Sequence, residues 1–446
     1  MVRSLLIISF CVCLLGACTT GPVNSNTASV QPSPSGSPSP APTNAATNTP
    51  VAEITLPLLD ALMADEKFVD RLKTKLKLSN DKIDELKRVS SDAVTRLREG
   101  NAEETDGVSG DPRARAAEQL RSILGDDKAR ELTQVANDYW SRGGEDAESG
   151  VEMLPGPNAV PTDTRVVVNI PAFRMDLFQN GTLVKSYKVG IGYPEFPLPF
   201  GLRKAQTIIF NPTWTPPDSP WVANMKNATP GETIPAGDKD NPLGPIKIPI
   251  GLPSLIHGGK SPAKIGKFAS HGCVGLTTPQ VKDFALLLSK AAGTDLTNQT
   301  MASYLEEKDQ TKSVKLKQAV PVELRYETIV LEDGKLHIYK DVYAQDTNNE
   351  ENLRRVLEAQ GIKLEDLSEQ QRTEASNALN AMSANPQASA SPSPSPSSSP
   401  EASPGKKSKA AARKKPTKPQ NEIVIDLSGL GKKGYPAPVD LDEGRR

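Results

Sequence analysis

The spacing of apolar residues changes near Arg165 from three or four residues to two. Between residues 56 and 140, apolar side chains recur at helical spacing, as in Ile83, Leu86, Val89, Ala93, Val94 and Leu97. Beyond Arg165 the residues are β-branched or alternate with polar ones, and Asn180-Gly181 is a strong β-hairpin signal. We therefore predict a multidomain chain, with a helical domain over residues 54–145 and a β-rich domain over residues 160–345.

Two further parts of the chain have compositions that bury little apolar surface. Residues 18–53 are rich in Ser, Pro and Thr, which predicts a disordered tether. After a helical segment at residues 346–383, we predict a low-complexity basic tail over residues 384–446. The tail is expected to be solvated, or to contact an anionic wall polymer or membrane weakly. A formal net charge of −1 gives no indication of a nucleic-acid partner.

The first residues have the organisation of a lipoprotein signal peptide, predicted over residues 1–17. Arg3 precedes the apolar run Leu5–Leu15, and Gly16-Ala17 leads directly to Cys18. Because this resembles a lipobox, Cys18 is the predicted lipidation site; the alternative is an ordinary signal with a cysteine near its cleavage point. The predicted location is outside the cytoplasm, lipid-anchored to a bacterial membrane and facing the wall. This is the periplasmic side, at the outer membrane if the cell has two membranes.

Cys273 is the only one of the four cysteines that lies beyond residue 18. An unpaired cysteine in an exported protein is either a buried spectator or a reactive thiol. His271 and Gly272 precede it, and His257 lies sixteen residues earlier, which favours the reactive interpretation. An imidazole removes the proton of a thiol whose ordinary pKa is about 8.5, and later protonates the leaving amine. We predict Cys273 as the nucleophile and His257 as the base.

Two further expectations follow from the same cluster. Gly272 permits a tight backbone bend, from which the amides of Gly272 and Cys273 are expected to point at a developing oxyanion. One cysteine and two histidines also suit zinc, but no further Cys or His lies nearby to complete a structural site. We therefore expect neither a metal nor a cofactor. The third histidine, His337, falls in a predicted strand and is expected to be structural.

The chain resembles the L,D-transpeptidase catalytic domain, also called the YkuD-like domain, in Ile256-His257-Gly258 and Ser270-His271-Gly272-Cys273-Val274. Further landmarks extend the similarity from Arg165 to Tyr343, among them Asn211-Pro212-Thr213-Trp214 and Lys335-Leu336-His337-Ile338-Tyr339. The resemblance implies a β-rich, mixed β-sandwich catalytic domain with a short helix after the nucleophile, here joined to an N-terminal helical domain and disordered linkers.

The resemblance also implies roles for the residues around the cysteine. Gly258 matches the position whose carbonyl orients the base, and Ser270, His271 and Gly272 match the loop that lines the oxyanion and substrate site. Most members carry arginine or asparagine two residues after the cysteine, where this chain has Gly275. We expect this departure to affect substrate preference rather than the cysteine–histidine pair.

The implied activity is acyl transfer on peptidoglycan stem peptides, through a thioester on the cysteine, in cell-wall organisation. The acceptor would be the amine of a second stem, or a wall-attached protein. One alternative is hydrolysis of the same bond by an L,D-carboxypeptidase. Another is a non-catalytic cell-wall-binding lipoprotein. Residues 160–345 contain every landmark, so we expect them to carry the chemistry and the helical domain to act in location or partner choice.

Overall fold

The computed structural model describes residues 54–99, 111–142, 152–216, 222, 227–384, 421–431 and 433–445. The predicted signal peptide over residues 1–17, the whole predicted tether over residues 18–53 with Cys18, and the lysine-rich part of the tail lie outside these ranges. Among the described residues, no helix is both long and apolar enough to cross a membrane.

The described part of the N-terminal region is helical, as predicted. Its helices are α1 (Leu56–Met63), α2 (Glu66–Lys75), α3 (Asn80–Glu99), α4 (Pro112–Leu124) and α5 (Asp126–Ser141). Side-chain oxygens of Thr55, Asp65 and Asp111 accept backbone N–H bonds at helix starts, which fixes where α1, α2 and α4 begin. The apolar stripes meet in one core that includes Phe68 and Trp140.

The remaining elements form a β-rich region with four further helices among the described residues. The helices are α6 (Thr278–Ala291), α7 (Asn298–Glu306), α8 (Glu350–Ala359) and α9 (Glu369–Met382). The strands are β1 (Arg165–Asn169), β2 (Arg174–Gln179), β3 (Thr182–Lys188), β4 (Ile191–Gly192), β5 (Gly201–Phe210), β6 (Ile246–Pro249), β7 (Leu255–His257), β8 (Phe268–Ser270), β9 (Val274–Gly275), β10 (Lys312–Arg325), β11 (Ile329–Glu332), β12 (Lys335–Tyr339) and β13 (Glu422–Asp426).

The main sheet has eight strands in the order β3-β2-β1-β10-β5-β6-β7-β9. The pairs β1–β10 and β7–β9 are parallel, and the other neighbours are antiparallel. Val166 lies opposite Val322 in the central parallel pair, and both are buried in the main core. Helix α6 packs its apolar face, including Phe284, into the same core. The predicted β-rich fold with an N-terminal helical region is confirmed, and α6 follows Cys273 closely in sequence.

A second, three-stranded sheet has the order β11-β12-β13 and packs against α8 and α9. Its third strand lies in the predicted low-complexity tail, so that prediction is wrong for residues 421–431 and 433–445. The three central residues of Glu422-Ile423-Val424-Ile425-Asp426 are β-branched, and the run pairs along the whole of β12. The strand is only five residues long and follows a long Ser/Pro-rich stretch. Its sequence pattern is therefore too short to identify it as a strand unless the pairing with β12 is known.

Both ends of the described chain contact the β-rich region that contains Cys273. The hydroxyl of Thr55 donates to the Glu195 carbonyl at 2.7 Å, and the Arg203 guanidinium donates to the Trp140 carbonyl. At the other end, the Asp442 carbonyl accepts a hydrogen bond from the Gln280 amide at 2.8 Å. The helical domain and the end of the tail therefore pack against the elements that surround the site.

Candidate active site

The parallel pair β7–β9 brings the histidine and cysteine segments together. Ile256 lies opposite Val274 and His257 opposite Gly275, and the Leu276 N–H donates to the His257 carbonyl at 2.8 Å. Cys273 immediately precedes β9, so the parallel register places it beside Leu255, at the start of β7. His257 and Cys273, sixteen positions apart in sequence, are thus brought to one pair of adjacent strands.

His257 is oriented by the backbone of the next residue. Its Nδ1 lies 2.8 Å from the Gly258 carbonyl oxygen, and only 3% of the residue is exposed. Because a carbonyl oxygen only accepts, Nδ1 must carry the proton, which leaves the lone pair on Nε2. Burial lowers the pKa of His257 to about 3, and the positive charge of Lys260 acts in the same direction. The ring is therefore neutral, and can act as a base, at any pH above about 4.

Cys273 is partly exposed and is held in place by Ser270. The Cys273 N–H donates to the Ser270 hydroxyl at 3.0 Å, and that hydroxyl donates to the Cys273 carbonyl at 2.6 Å. Burial raises the pKa of the Cys273 thiol, while a hydrogen bond from the Leu255 backbone and the charge of Lys260 oppose that rise. The resting thiol is therefore protonated near neutral pH, and attack requires a base.

The backbone at Gly272 differs in part from the sequence-based expectation. Gly272 has φ +91°, a conformation that favours glycine, and among the described residues no acceptor binds its N–H. The Cys273 amide, by contrast, already donates to Ser270, so the expectation that both amides point at an oxyanion is wrong for Cys273. Ser270 uses its hydroxyl to shape the turn, and the Gly272 N–H is the remaining candidate donor in this turn.

His271 forms part of an aromatic wall beside the cysteine. Its ring lies 4.6 Å from that of Phe196, edge to face, and 5.7 Å from that of Tyr193. The Tyr193 N–H donates to the Ser270 carbonyl at 2.9 Å, which ties the loop after β4 to the cysteine loop. The third histidine lies elsewhere, because His337 on β12 contacts Glu422 on β13 at 2.5 Å. His337 therefore joins two strands of the smaller sheet.

Lys260 is a site residue that the sequence reasoning missed. Its N–H donates to the Leu276 carbonyl at 3.0 Å, and its side chain lies across Gly275. Two features of the sequence could have pointed to Lys260: it lies three residues after His257, and position 275 is a glycine. Only the pairing of β7 with β9 shows that Lys260 and Gly275 are neighbours. Among the described residues, no group of three or more His, Cys, Asp or Glu is arranged to hold a metal ion.

A match to a known domain family covers the segment that contains this geometry. Residues 163–303 match the family model for the YkuD L,D-transpeptidase catalytic domain. This segment of the chain is therefore similar to an L,D-transpeptidase catalytic domain. It begins just before β1 and ends within α7, and it includes Cys273 and His257. No curated protein matches the chain.

Solved structures similar to the chain include several L,D-transpeptidases. The catalytic domain of the Enterococcus faecium enzyme is 16% identical, with 37% of this chain and 99% of that chain covered and a TM-score of 0.23. An enzyme from Mycobacterium smegmatis is 14% identical, with 36% and 58% covered and a TM-score of 0.23.

L,D-transpeptidase 3 from Mycobacterium tuberculosis, solved with a faropenem-derived adduct, is 12% identical, with 36% and 60% covered and a TM-score of 0.22. For three of the similar structures, among them the Mycobacterium smegmatis enzyme, this chain spans only 48% to 58% of their length.

Proposed function

We propose that the protein is a cysteine-dependent peptidoglycan L,D-transpeptidase. The observation that carries this proposal is the pairing of β7 with β9, which places a buried His257 opposite Gly275, two residues after Cys273. The Nδ1–H of that imidazole is committed to the Gly258 carbonyl, so Nε2 is the basic nitrogen. A protonated thiol next to a neutral imidazole is the starting arrangement for nucleophilic catalysis by cysteine.

The first half-reaction forms a thioester. His257 accepts the Cys273 proton as the sulfur attacks the carbonyl between the L-centre of a diamino acid and the following D-residue. The C–S bond forms, the C–N bond breaks, and the imidazolium donates its proton to the departing amine of the D-residue. The Gly272 N–H is the proposed donor to the negative oxygen of the tetrahedral intermediate.

The second half-reaction transfers the acyl group to an amine. The amine of a second stem peptide, or of a wall-attached protein, attacks the thioester, His257 takes its proton, and the C–S bond breaks to leave Cys273 as a thiolate. The proton then returns from His257 to the sulfur. The same intermediate with water as acceptor gives hydrolysis, so the acceptor decides between cross-linking and trimming.

The experiment is incubation of the full chain, purified in detergent, with a disaccharide-tetrapeptide, followed by mass spectrometry of the products. We expect cross-linked dimers together with release of the terminal D-residue. If only tripeptides form and no dimers, the protein is an L,D-carboxypeptidase and not a transpeptidase. Unchanged tetrapeptide, with a Cys273 that remains open to alkylation, would favour the non-catalytic wall-binding alternative.

We also propose that Cys18 carries a lipid that anchors the protein to a membrane facing the wall. The support is the order of Arg3, the apolar run Leu5–Leu15 and the small residues Gly16-Ala17 before Cys18. The stretch after the anchor contains many Pro and Ser residues, a composition typical of extended tethers. Such a tether would let the catalytic domain reach stem peptides away from the membrane.

A further inference from the structure

The side chain of Lys260 occupies the space that any side chain at position 275 would need. A Cβ built on Gly275 would lie 2.8 Å from Cγ, 3.0 Å from Cε and 3.3 Å from Cδ of Lys260. Contacts this short require the lysine stem to move, so a glycine at 275 and a lysine at 260 are sterically linked. The last carbon before the ammonium is thereby placed beside the strand residue that comes two positions after Cys273.

The backbone fixes Lys260 in this position. Its N–H donates to the Leu276 carbonyl at 3.0 Å, directly after the bond from the Leu276 N–H to the His257 carbonyl. Lys260 thus continues the ladder between β7 and β9, and Gly275 is fully within that ladder. The same pairing that positions His257 therefore holds the lysine stem beside Gly275, two residues after Cys273.

Among the described residues, the charged groups that act most strongly on the pKa of Cys273 and His257 are cationic. Lys260 acts on both Cys273 and His257, Lys247 on β6 acts on His257, and Lys264 in the short turn after β7 acts on Lys260. The ion pairs formed among the described residues do not include Lys260. A thiolate at Cys273 would therefore be the negative group that faces this ammonium.

We propose that Lys260 is the electrostatic partner of the Cys273 thiolate. When His257 removes the thiol proton, the sulfur becomes negative in a poorly hydrated site, where an ionised group is costly unless an opposite charge is close. The ammonium supplies that charge, and the absence of a side chain at Gly275 gives the lysine stem its route. This role rests on the proposed function, but the thiolate forms without any substrate, so it can be measured separately.

The test is the pH profile of Cys273 alkylation by iodoacetamide in the full chain, read from the tryptic peptide 268–282. The Lys260→Met variant keeps the aliphatic stem and loses the charge. We expect its alkylation midpoint to rise by about one pH unit, with about tenfold slower alkylation at neutral pH. Lys260→Arg is expected to stay close to the unmodified chain. The matched control is Lys290→Met, an exposed lysine near the end of α6.

A purely structural role for Lys260 would give the same midpoint in Lys260→Met as in the unmodified chain, and that result would overturn the proposal. If Lys260→Met fails to fold, the double variant Lys260→Ala with Gly275→Arg supplies a cation from the other strand. We expect the alkylation midpoint of the double variant to stay close to that of the unmodified chain, whereas Lys260→Ala without the arginine raises the midpoint. Equal midpoints in these two variants would also overturn the proposal. If the unmodified chain does not turn over stem peptides but Lys260→Met still raises the alkylation midpoint, only the proposed function is contradicted.

Discussion

Arg115 on α4 forms a 2.7 Å ion pair with Glu195, the residue before the phenylalanine that packs on His271. Burial raises the pKa of the Glu195 carboxyl, and the Arg115 charge opposes that rise. The Glu195 backbone carbonyl also accepts a hydrogen bond from Thr55, so the helical domain holds this residue at two points. The sequence led us to expect only a role in location or partner choice for the helical domain. These contacts add a role in supporting the wall of the active site.

The Arg115→Met variant tests this support. Removing the guanidinium leaves a largely buried carboxylate without its ion-pair partner, which costs about 1–3 kcal/mol of unfolding free energy. We also expect alkylation of Cys273 to change by a few fold, because Phe196 contacts His271 next to the thiol. The control is Arg130→Met, whose ion pair with Asp127 is exposed on α5. Equal stability and reactivity of the two variants would limit the helical domain to location or partner choice.

The buried imidazole of His257 predicts a specific dependence of stability on pH. Its pKa of about 3 in the folded protein lies below the ordinary value of 6.5, so the unfolded chain binds more protons between these values. The stabilisation is complete above pH 6.5 and is lost as the pH falls towards 3. At pH 5 the loss attributable to His257 is about 2 kcal/mol.

Urea denaturation at pH 7 and pH 5 measures this effect. The unmodified chain is expected to lose about 2 kcal/mol more between the two pH values than the His257→Gln variant. Carboxylate groups titrate in both proteins, so their contribution cancels in the comparison. An equal loss in both proteins would mean that His257 is hydrated or charged in the folded state.

The structured end of the tail provides a prediction about stability. The Tyr435 ring lies 5.9 Å from that of Phe178, edge to face, and its hydroxyl donates to the Asp176 carboxylate at 3.1 Å. Tyr435→Ala is expected to destabilise the protein by about 3–5 kcal/mol in denaturant unfolding, as for other buried aromatic residues. Val439→Ala is the control, because that side chain is exposed. If both substitutions lower the unfolding free energy by similarly small amounts, the end of the tail does not pack in the folded core.

Membrane attachment tests the proposed lipidation. Cys18→Ser removes the proposed acceptor of the lipid, and the run Leu5–Leu15 is too short to span a bilayer comfortably. We expect the variant to move from the membrane fraction to the soluble exported fraction in cell fractionation. Cys13→Ser is the matched control and should stay in the membrane fraction. Retention of the Cys18 variant after signal cleavage would count against lipidation.

A candidate site could be proposed from the sequence because the chain contains few residues that are able to carry the chemistry. Cys273 is the only cysteine beyond the signal region, and His257 is one of three histidines, so few combinations had to be considered. The elements with clear periodicity, such as the N-terminal helices and the hairpin at Asn180-Gly181, could also be predicted, because local spacing determines them.

What could not be predicted depends on contacts between distant residues. The parallel pairing of β1 with β10 joins segments more than 150 positions apart, and β13 is recognisable only once β12 lies beside it. Lys260 was missed for the same reason, since its proximity to Gly275 comes from strand pairing. The hydrogen bond from the Cys273 N–H to the Ser270 hydroxyl likewise depends on the conformation of one turn.

The most direct test of the central claim is acylation of Cys273 by a disaccharide-tetrapeptide, measured by mass spectrometry of the full chain and of its tryptic peptide 268–282. We expect one covalent adduct on the unmodified chain, located at Cys273, and none on Cys273→Ala. The His257→Gln variant is expected to react more than tenfold more slowly at neutral pH, with the difference shrinking as the pH rises past the thiol pKa. An adduct that persists in Cys273→Ala, or an unmodified Cys273 in a folded protein, would contradict the account.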